Sequence, residues 1–315
     1  MLFFKSRVGN MTALPWLQPT LDKFSEQLKT ARVGHAYLVG MDAGYGGESL
    51  VLELAKMSLC HQLGQGGACG FCKACQLIEA NNHPDLYLVE AEGAQIKVDQ
   101  IRELCQKLTT TSQQGGRRVA VILNSERLNQ ASGNALLKTL EEPGKDTILL
   151  LQTNAPSRLI ATISSRCQRL RVELPNKMQV KQWLKEQLTT QDDPSWCLPV
   201  VGGPMAVLSA IETERYKTLI DYRKGWTQSL SSGHLCASLI NVNEKQVSDA
   251  LKVLYLVLHR ALVKQQDSDP LTRVKIANFS AKVMQLETRL SVMPTVNTLA
   301  LFGGLTIEYN QLINQ

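Results

Sequence analysis

The sequence lacks a long apolar run. Lys, Arg, Asp or Glu interrupts every hydrophobic stretch of the 315 residues, so none reaches the roughly 20 apolar residues that a membrane-spanning helix needs. A signal peptide is not indicated either, because the apolar Leu2 to Phe4 precede the basic Lys5 and Arg7 and no small-residue cleavage site follows. We therefore expect a cytoplasmic protein. Met11 offers a second start, which would make residues 1–10 an extension.

Aromatic residues and strong charge are scarce too. Aromatic residues make up 5% of the chain, the net charge is only +6, and 44% of the residues are hydrophobic. This balance is typical of a globular protein of two or three domains and excludes a disordered one. A mild positive charge suits a nucleic-acid or acidic partner and suits an ordinary solvated surface equally well. No Ser/His/Asp or Cys/His arrangement indicates hydrolase chemistry.

Strand and helix patterns alternate in the first half of the chain. Short apolar runs predict strands at 35–39, 85–90, 118–123 and 146–152, and helical spacing predicts helices at 49–63, 98–108 and 131–142. This alternation predicts a parallel sheet with helices on both faces.

The pattern changes after Pro175, beyond which no segment reads as a strand. Helices are predicted at 178–188, 244–264, 271–290 and 296–313, and the Pro/Gly-rich residues 194–204 read as a turn region or hinge. The last third of the chain is therefore predicted to be all-helical.

Four of the eight cysteines lie within sixteen residues. Cys60, Cys69, Cys72 and Cys75 have the spacing C-x8-C-x2-C-x2-C, and four thiolates at such spacing can surround a zinc ion tetrahedrally. A site filled by four thiolates has no open position for water, so this zinc would be structural. Reduced, unliganded cysteines and a thioredoxin-like redox pair are the alternatives.

A Gly-rich loop, residues 40–48, joins the first predicted strand to the following helix. Strand, Gly-rich loop and helix is the setting of a phosphate-binding loop, which also needs a lysine and a Ser or Thr. Here Gly44, Gly46 and Gly47 supply the bend, but Gly47 or Glu48 stands at the lysine position. The strand at 119–123 likewise runs into Leu123-Asn-Ser-Glu126 instead of an acidic, magnesium-orienting end. The loop is expected to be degenerate, with no ATP of its own.

Two sequence motifs make the prediction of fold and function more specific. Asn134-Ala-Leu-Leu-Lys-Thr-Leu-Glu-Glu-Pro143 and Thr162-Ile-Ser-Ser-Arg-Cys167 together resemble the clamp-loader branch of the AAA+ ATPases. The cysteine cluster narrows the resemblance to the gamma/tau and delta-prime families of bacterial DNA polymerase III. Pro15-Trp16-Leu17, His35-Ala36 and the segment from Cys75-Gln-Leu-Ile78 to His83-Pro-Asp85 fit delta-prime best. The matching motifs cover about residues 13–175.

The resemblance implies an architecture and a set of partners. An AAA+ type α/β domain would span 1–167 with a zinc module at 60–75, a helical lid would span 168–205, and an all-helical collar would span 206–315. The chain would be a non-catalytic member of a heteropentameric clamp loader with delta and gamma/tau subunits. Through that complex it would act on the sliding clamp and on primer-template DNA. Its link to a DNA-directed DNA polymerase, a nucleotidyltransferase, would be by complex membership.

The resemblance also assigns roles to single residues. Arg166, in the motif Ser165-Arg166-Cys167, would be an arginine finger for the ATP site of a neighbouring subunit. Thr153-Asn154 falls at the position of the first nucleotide sensor, and Met205 stands where the second sensor would have an Arg. A gamma/tau-type ATPase is one alternative. A zinc-dependent nucleic-acid-binding module is the other, although Phe71 and Lys73 are the only suitable side chains near the cysteines.

Overall fold

The computed structural model describes residues 14–64, 66–188, 193–264, 270–290 and 297–314. The chain divides into two compact units, Met1–Leu188 and Thr189–Gln315. The boundary between the units falls inside the predicted lid at 168–205.

The first unit is built on a five-stranded sheet whose strands are all parallel, in the order β2-β3-β4-β1-β5. The strands are β1 (Ala36–Gly40), β2 (Leu86–Val89), β3 (Arg118–Ile122), β4 (Thr147–Thr153) and β5 (Gln168–Leu170). Every residue of β3 and β4 is buried, which explains their continuous apolar runs. The predicted parallel sheet is confirmed. The edge strand β5 was missed because Gln168 and Arg169 are exposed and do not alternate with buried apolar residues.

Helices cover both faces of this sheet. They are α1 (Gln18–Lys29), α2 (Gly47–Leu59), α3 (Lys73–Glu79), α4 (Val98–Thr109), α5 (Gln130–Glu141), α6 (Ala161–Ser164) and α7 (Lys177–Gln187). On one face, Ile101 of α4 and Leu136 of α5 share a core with Leu38 and Leu151 of the sheet. On the other face, Phe24 of α1 stacks edge-on against Tyr37 of β1 at a ring-centroid distance of 5.4 Å.

The second unit is helical throughout its described residues. Its helices are α8 (Leu198–Val201), α9 (Pro204–Glu212), α10 (Arg215–Ser232), α11 (Ala237–Ile240), α12 (Val247–Lys264), α13 (Pro270–Leu290) and α14 (Thr298–Asn314). Trp226 of α10 lies at its centre, fully buried, with its indole N–H donated to the Ala250 carbonyl at 2.8 Å. The predicted apolar stripe of α12 faces this core through Leu251, Leu254 and Leu258. The predicted all-helical region is therefore confirmed.

The Pro/Gly-rich residues 194–204, predicted as a turn region or hinge, include two short helical segments. A 3-10 turn, Pro194–Cys197, leads into α8, which ends at Gly202 with φ of +95°. Of the helices described, no single one is long and apolar enough to cross a membrane. Only the segments Pro194–Val201 and Pro204–Glu212, bent by 104° between them, reach that length and composition together.

Candidate functional site

The four clustered cysteines converge in the first unit. Cys60 follows the last residue of α2, Cys75 lies in α3, and the connecting turn passes Gly70 with φ of +79°, a conformation that favours glycine. The four sulfur atoms lie within 4.8 Å of one another. Two sulfur pairs, Cys60 with Cys72 and Cys69 with Cys75, are each 3.9 Å apart. A tetrahedral zinc site with Zn–S bonds of about 2.3 Å needs edges of about 3.8 Å, so the cluster fits such an ion.

The electrostatics of the cluster also favour a bound cation. Burial alone would raise the pKa of the Cys72 thiol. Hydrogen bonds from the backbone N–H groups of Cys75 and His61 and from neighbouring thiols outweigh this effect of burial and lower the pKa to about 6. Burial raises the pKa of Cys75. Backbone N–H groups additionally donate to the sulfurs of Cys60 and Cys69. Four thiolates this close together repel one another unless a cation lies between them, so the donor set is suited to a metal ion.

The Gly-rich loop between β1 and α2 is a closed turn. Ala43–Tyr45 forms a 3-10 turn capped by Asp42, and Gly46 adopts the left-handed conformation. Five successive backbone N–H groups, those of residues 43 to 47, all have acceptors inside the protein. The N–H of Ala43 donates to Asn154 Oδ1 at 2.9 Å, and that of Gly44 donates to Asp42 Oδ1 at 2.8 Å. The remaining three donate to backbone carbonyls of Asp42 and Ala43. These are the donors that a phosphate-binding loop would direct at its ligand.

Gly47, one of the two candidate lysine positions, has no room for a side chain. A Cβ atom there would collide with the Met41 carbonyl oxygen. Glu48, the other candidate position, lies in the first turn of α2 and accepts a hydrogen bond from Asn124 Nδ2 at 3.4 Å. A carboxylate therefore stands at the helix N-terminus where a polyphosphate would otherwise bind.

A polar network bridges the carboxyl ends of β1, β3 and β4. Its centre is the fully buried Gln152, whose Nε2 donates to the Met41 carbonyl and to Asn154 Oδ1, both at 2.9 Å. Gln152 Oε1 accepts from the Asn124 backbone N–H at 2.9 Å. In open parallel sheets this edge is where ligands usually bind. Here the protein's own side chains link the three strands.

The predicted first sensor belongs to this network. Thr153 Oγ1 donates to Glu126 Oε2 at 2.8 Å, and Asn154 Nδ2 donates to Asn124 Oδ1 at 2.6 Å. Glu126, which follows β3, is thus directed at the end of β4. Met205, at the predicted second-sensor position, lies in the first turn of α9 and is half-buried. The sensor roles of these residues stay predictions.

The residues of the Ser165-Arg166-Cys167 motif face different environments. Cys167 is buried in the sheet core, and burial raises its pKa to about 11. Ser165 Oγ donates to the Thr162 carbonyl at 3.1 Å. The Arg166 side chain is 36% exposed, and its Nε and Nη2 atoms both approach Glu141 Oε1, at 2.8 and 2.6 Å. Arg166, like the exposed Ser165, is therefore accessible to a partner, whereas Cys167 is not.

Two buried charged residues have structural roles that sequence reasoning missed. Arg118, at the start of β3, donates to the carbonyls of Leu108, Thr110 and Lys145. Asp85, 1% exposed, accepts from the backbone N–H groups of Gln113 and Gln114 at 2.8 and 2.9 Å. A charged residue at the end of an apolar run is the only signal that the sequence carries for them.

The parallel sheet, its helices on both faces and the Gly-rich turn after β1 define an α/β fold of the AAA+ ATPase class. A solved structure described as a DNA polymerase III gamma subunit-related protein from Thermotoga maritima superposes with a TM-score of 0.52. The superposition covers 93% of this chain and 99% of the Thermotoga maritima chain. At 16% sequence identity, this similarity supports the fold alone.

Sequence comparison is more specific. The family model described as "DNA polymerase III, delta subunit" matches residues 16–176. DNA polymerase III subunit delta' of Escherichia coli is 30% identical over 273 residues, which span 85% of this chain and 82% of that protein. The Pseudomonas aeruginosa delta' subunit is 41% identical over 186 residues, 58% of this chain and 55% of that protein. The chain belongs to the family of DNA polymerase III delta-prime subunits.

Proposed function

We propose that this chain is the non-catalytic delta-prime subunit of a clamp loader and helps to place the sliding clamp on primer-template DNA during replication. Its partners would be the delta and gamma/tau subunits in the cytoplasm, and its helical second unit would supply the oligomerising collar. The family membership supports this role. The chain would share in DNA polymerase activity only as a member of the holoenzyme.

The observation that carries the non-catalytic role is the closed Gly-rich loop. Its five N–H donors already have acceptors in the protein, so a phosphate would have to displace each of those bonds. No lysine is present at residue 47 or 48 to compensate, and Glu48 would repel the ligand. We infer that the chain neither binds nor hydrolyses ATP.

Arg166 would act on the ATP of the neighbouring subunit. A guanidinium stays charged at every physiological pH and can meet the γ-phosphate oxygens as their charge develops. Such fingers contribute about 10³–10⁵ in rate in other nucleotide hydrolases. The partial exposure of Arg166, beside the buried Cys167 that anchors the turn, supports this assignment.

The four cysteines would hold a structural zinc ion. Cys60, Cys69, Cys72 and Cys75 would be its ligands, and the ion would offset part of their charge and fasten the turn between α2 and α3. The zinc ion would take no part in ATP hydrolysis.

A reconstituted loader with clamp and primed DNA tests the proposal. The purified chain alone should show neither ATP binding nor turnover, and Arg166→Ala should slow hydrolysis by the assembled complex. Hydrolysis by the purified chain, or a silent Arg166→Ala in a complex of correct composition, would overturn it. Tight binding of primed DNA by the isolated chain, with a steep dependence on salt, would instead favour the zinc-dependent nucleic-acid-binding module.

A further inference from the structure

The end of α5 carries a carboxylate in an unfavourable place. Glu141 is the last residue of the helix, where the carbonyl end of the helix dipole disfavours negative charge. Its neighbour Glu142 adds a second carboxylate at the same end. A helix that needed only stability would have a basic residue there, so the position of Glu141 calls for another reason.

The contact with Arg166 explains why Glu141 stands at this end of α5. The Arg166 Nε donates to Glu141 Oε1 at 2.8 Å, its Nη2 forms an ion pair with the same oxygen at 2.6 Å, and its Nη1 donates to the Thr162 carbonyl at 2.9 Å. The guanidinium is therefore held on two sides, by the end of α5 and by α6. Charge-assisted bonds of this kind are stronger and more directional than neutral ones.

These contacts leave N–H groups of the guanidinium available. An arginine has five N–H groups, and the hydrogen bonds to Glu141 and Thr162 use one on Nε and one on Nη1. The other N–H groups, on the two terminal nitrogens, make no hydrogen bond among the residues described in the structure, although Nη2 lies within ion-pair distance of Glu141. Terminal N–H groups of an arginine can pair with phosphate oxygens.

The packing of α5 on α6 fixes this arrangement. Gly133 lets the two helices approach, since a Cβ atom there would collide with the Ile160 side chain and lie 3.4 Å from that of Ile163. Ile163 is fully buried. The carboxylate and the guanidinium are thus carried on elements that pack closely against each other.

We propose that Glu141 is a positioning residue for Arg166. It orients the guanidinium so that its remaining N–H groups face the neighbouring subunit before the nucleotide there arrives. The inference rests on the proposed role of Arg166 as a finger that acts on a neighbouring site. Because a misplacement of about 1 Å can cost a large factor in rate, the orientation of the finger should matter as well as its presence.

The test is steady-state ATP hydrolysis by the reconstituted loader with clamp and primed DNA, measured over a range of ATP concentrations. We expect Glu141→Ala to lower the rate about three- to tenfold without changing the KM for ATP, and Arg166→Ala to lower it further. The double variant should be no slower than Arg166→Ala alone. Glu141→Gln, which keeps an acceptor, should recover part of the rate, and Glu142→Ala is the matched control with an unchanged rate.

Each contrary result has its own meaning. A normal rate for Glu141→Ala, with Arg166→Ala slow, would remove the positioning role and leave the finger intact. A further loss in the double variant would show that Glu141 acts by another route, and a faster Glu141→Ala would show that it restrains the finger instead. A silent Arg166→Ala would overturn the finger and, with it, this inference. Size-exclusion chromatography of each complex verifies that the variants assemble.

Discussion

The network at the carboxyl edge of the sheet should be a major contributor to the stability of the first unit. Replacing Gln152 by Leu keeps the approximate volume of the side chain and removes its amide. The Met41 carbonyl and the Asn124 backbone N–H then lose their partners, while Asn154 is exposed and can bond to water.

The magnitude follows from the burial of these two groups. An unsatisfied buried polar group costs about 1–3 kcal/mol, and the Met41 carbonyl should lie near the upper limit because its bond to Gln152 is buried. The Asn124 N–H is only partly buried and should lie near the lower limit. We expect Gln152→Leu to reduce the free energy of unfolding by about 4 kcal/mol.

Urea unfolding of the full chain, followed by circular dichroism, measures this loss. Amide hydrogen exchange at β1, β3 and β4 assigns it to the first unit. Gln106→Leu, at an exposed position on α4, is the matched control and should change the stability by less than about 0.5 kcal/mol. A similarly small change for Gln152→Leu would refute the view that this network holds the three strand ends together.

Three further predictions concern the same unit. Gly47→Ala should lower the unfolding free energy by about 2 kcal/mol because its Cβ would collide with the Met41 carbonyl, whereas Gly116→Ala, with open space around the added atom, should not. Burial raises the pKa of Glu53 above its ordinary value of 4.5, because the charged carboxylate is disfavoured inside the protein. The protonated side chain therefore stabilises the fold fully below pH 4.5, and this stabilisation is lost as the pH rises through the raised pKa. Glu53→Gln should therefore be more stable than the wild type at pH 8 and no more stable at pH 4, as measured by urea titrations. Cys72→Ser should reduce the zinc released per chain and lower the thermal midpoint, while Cys236→Ser, outside the cluster, should do neither; equal zinc contents would contradict the proposed ligand set.

Much of the fold could be read from the sequence because its central strands are buried on both faces. The apolar runs at 118–123 and 146–152 indicate the strands that form there, and the predicted helices at 98–108 and 131–142 agree with the structure within a residue or two at their ends. Helix α10 was missed because Arg215–Ser232 is largely polar and its buried residues, such as Leu219 and Trp226, are widely spaced.

The site was only partly predictable, for a physical reason. Close spacing in the chain brings the four cysteines together, and this can be read from the sequence. Of the five bonds that close the Gly-rich loop, four are local, but one joins Ala43 to Asn154, which are 111 residues apart. The pairing of Glu141 with Arg166 likewise depends on how two helices pack, and no local pattern indicates it.

The closed loop also bears on the history of the subunit. A lysine restored at residue 47 would collide with the Met41 carbonyl, and one restored at residue 48 would enter a loop whose amide groups are already occupied. Recovering nucleotide binding would require changes at Asp42 and Asn154 as well as at the lysine position. Under the proposed function, single mutations would therefore offer no gradual route back to an ATPase, and a ring that contains this chain would keep one member outside the nucleotide cycle.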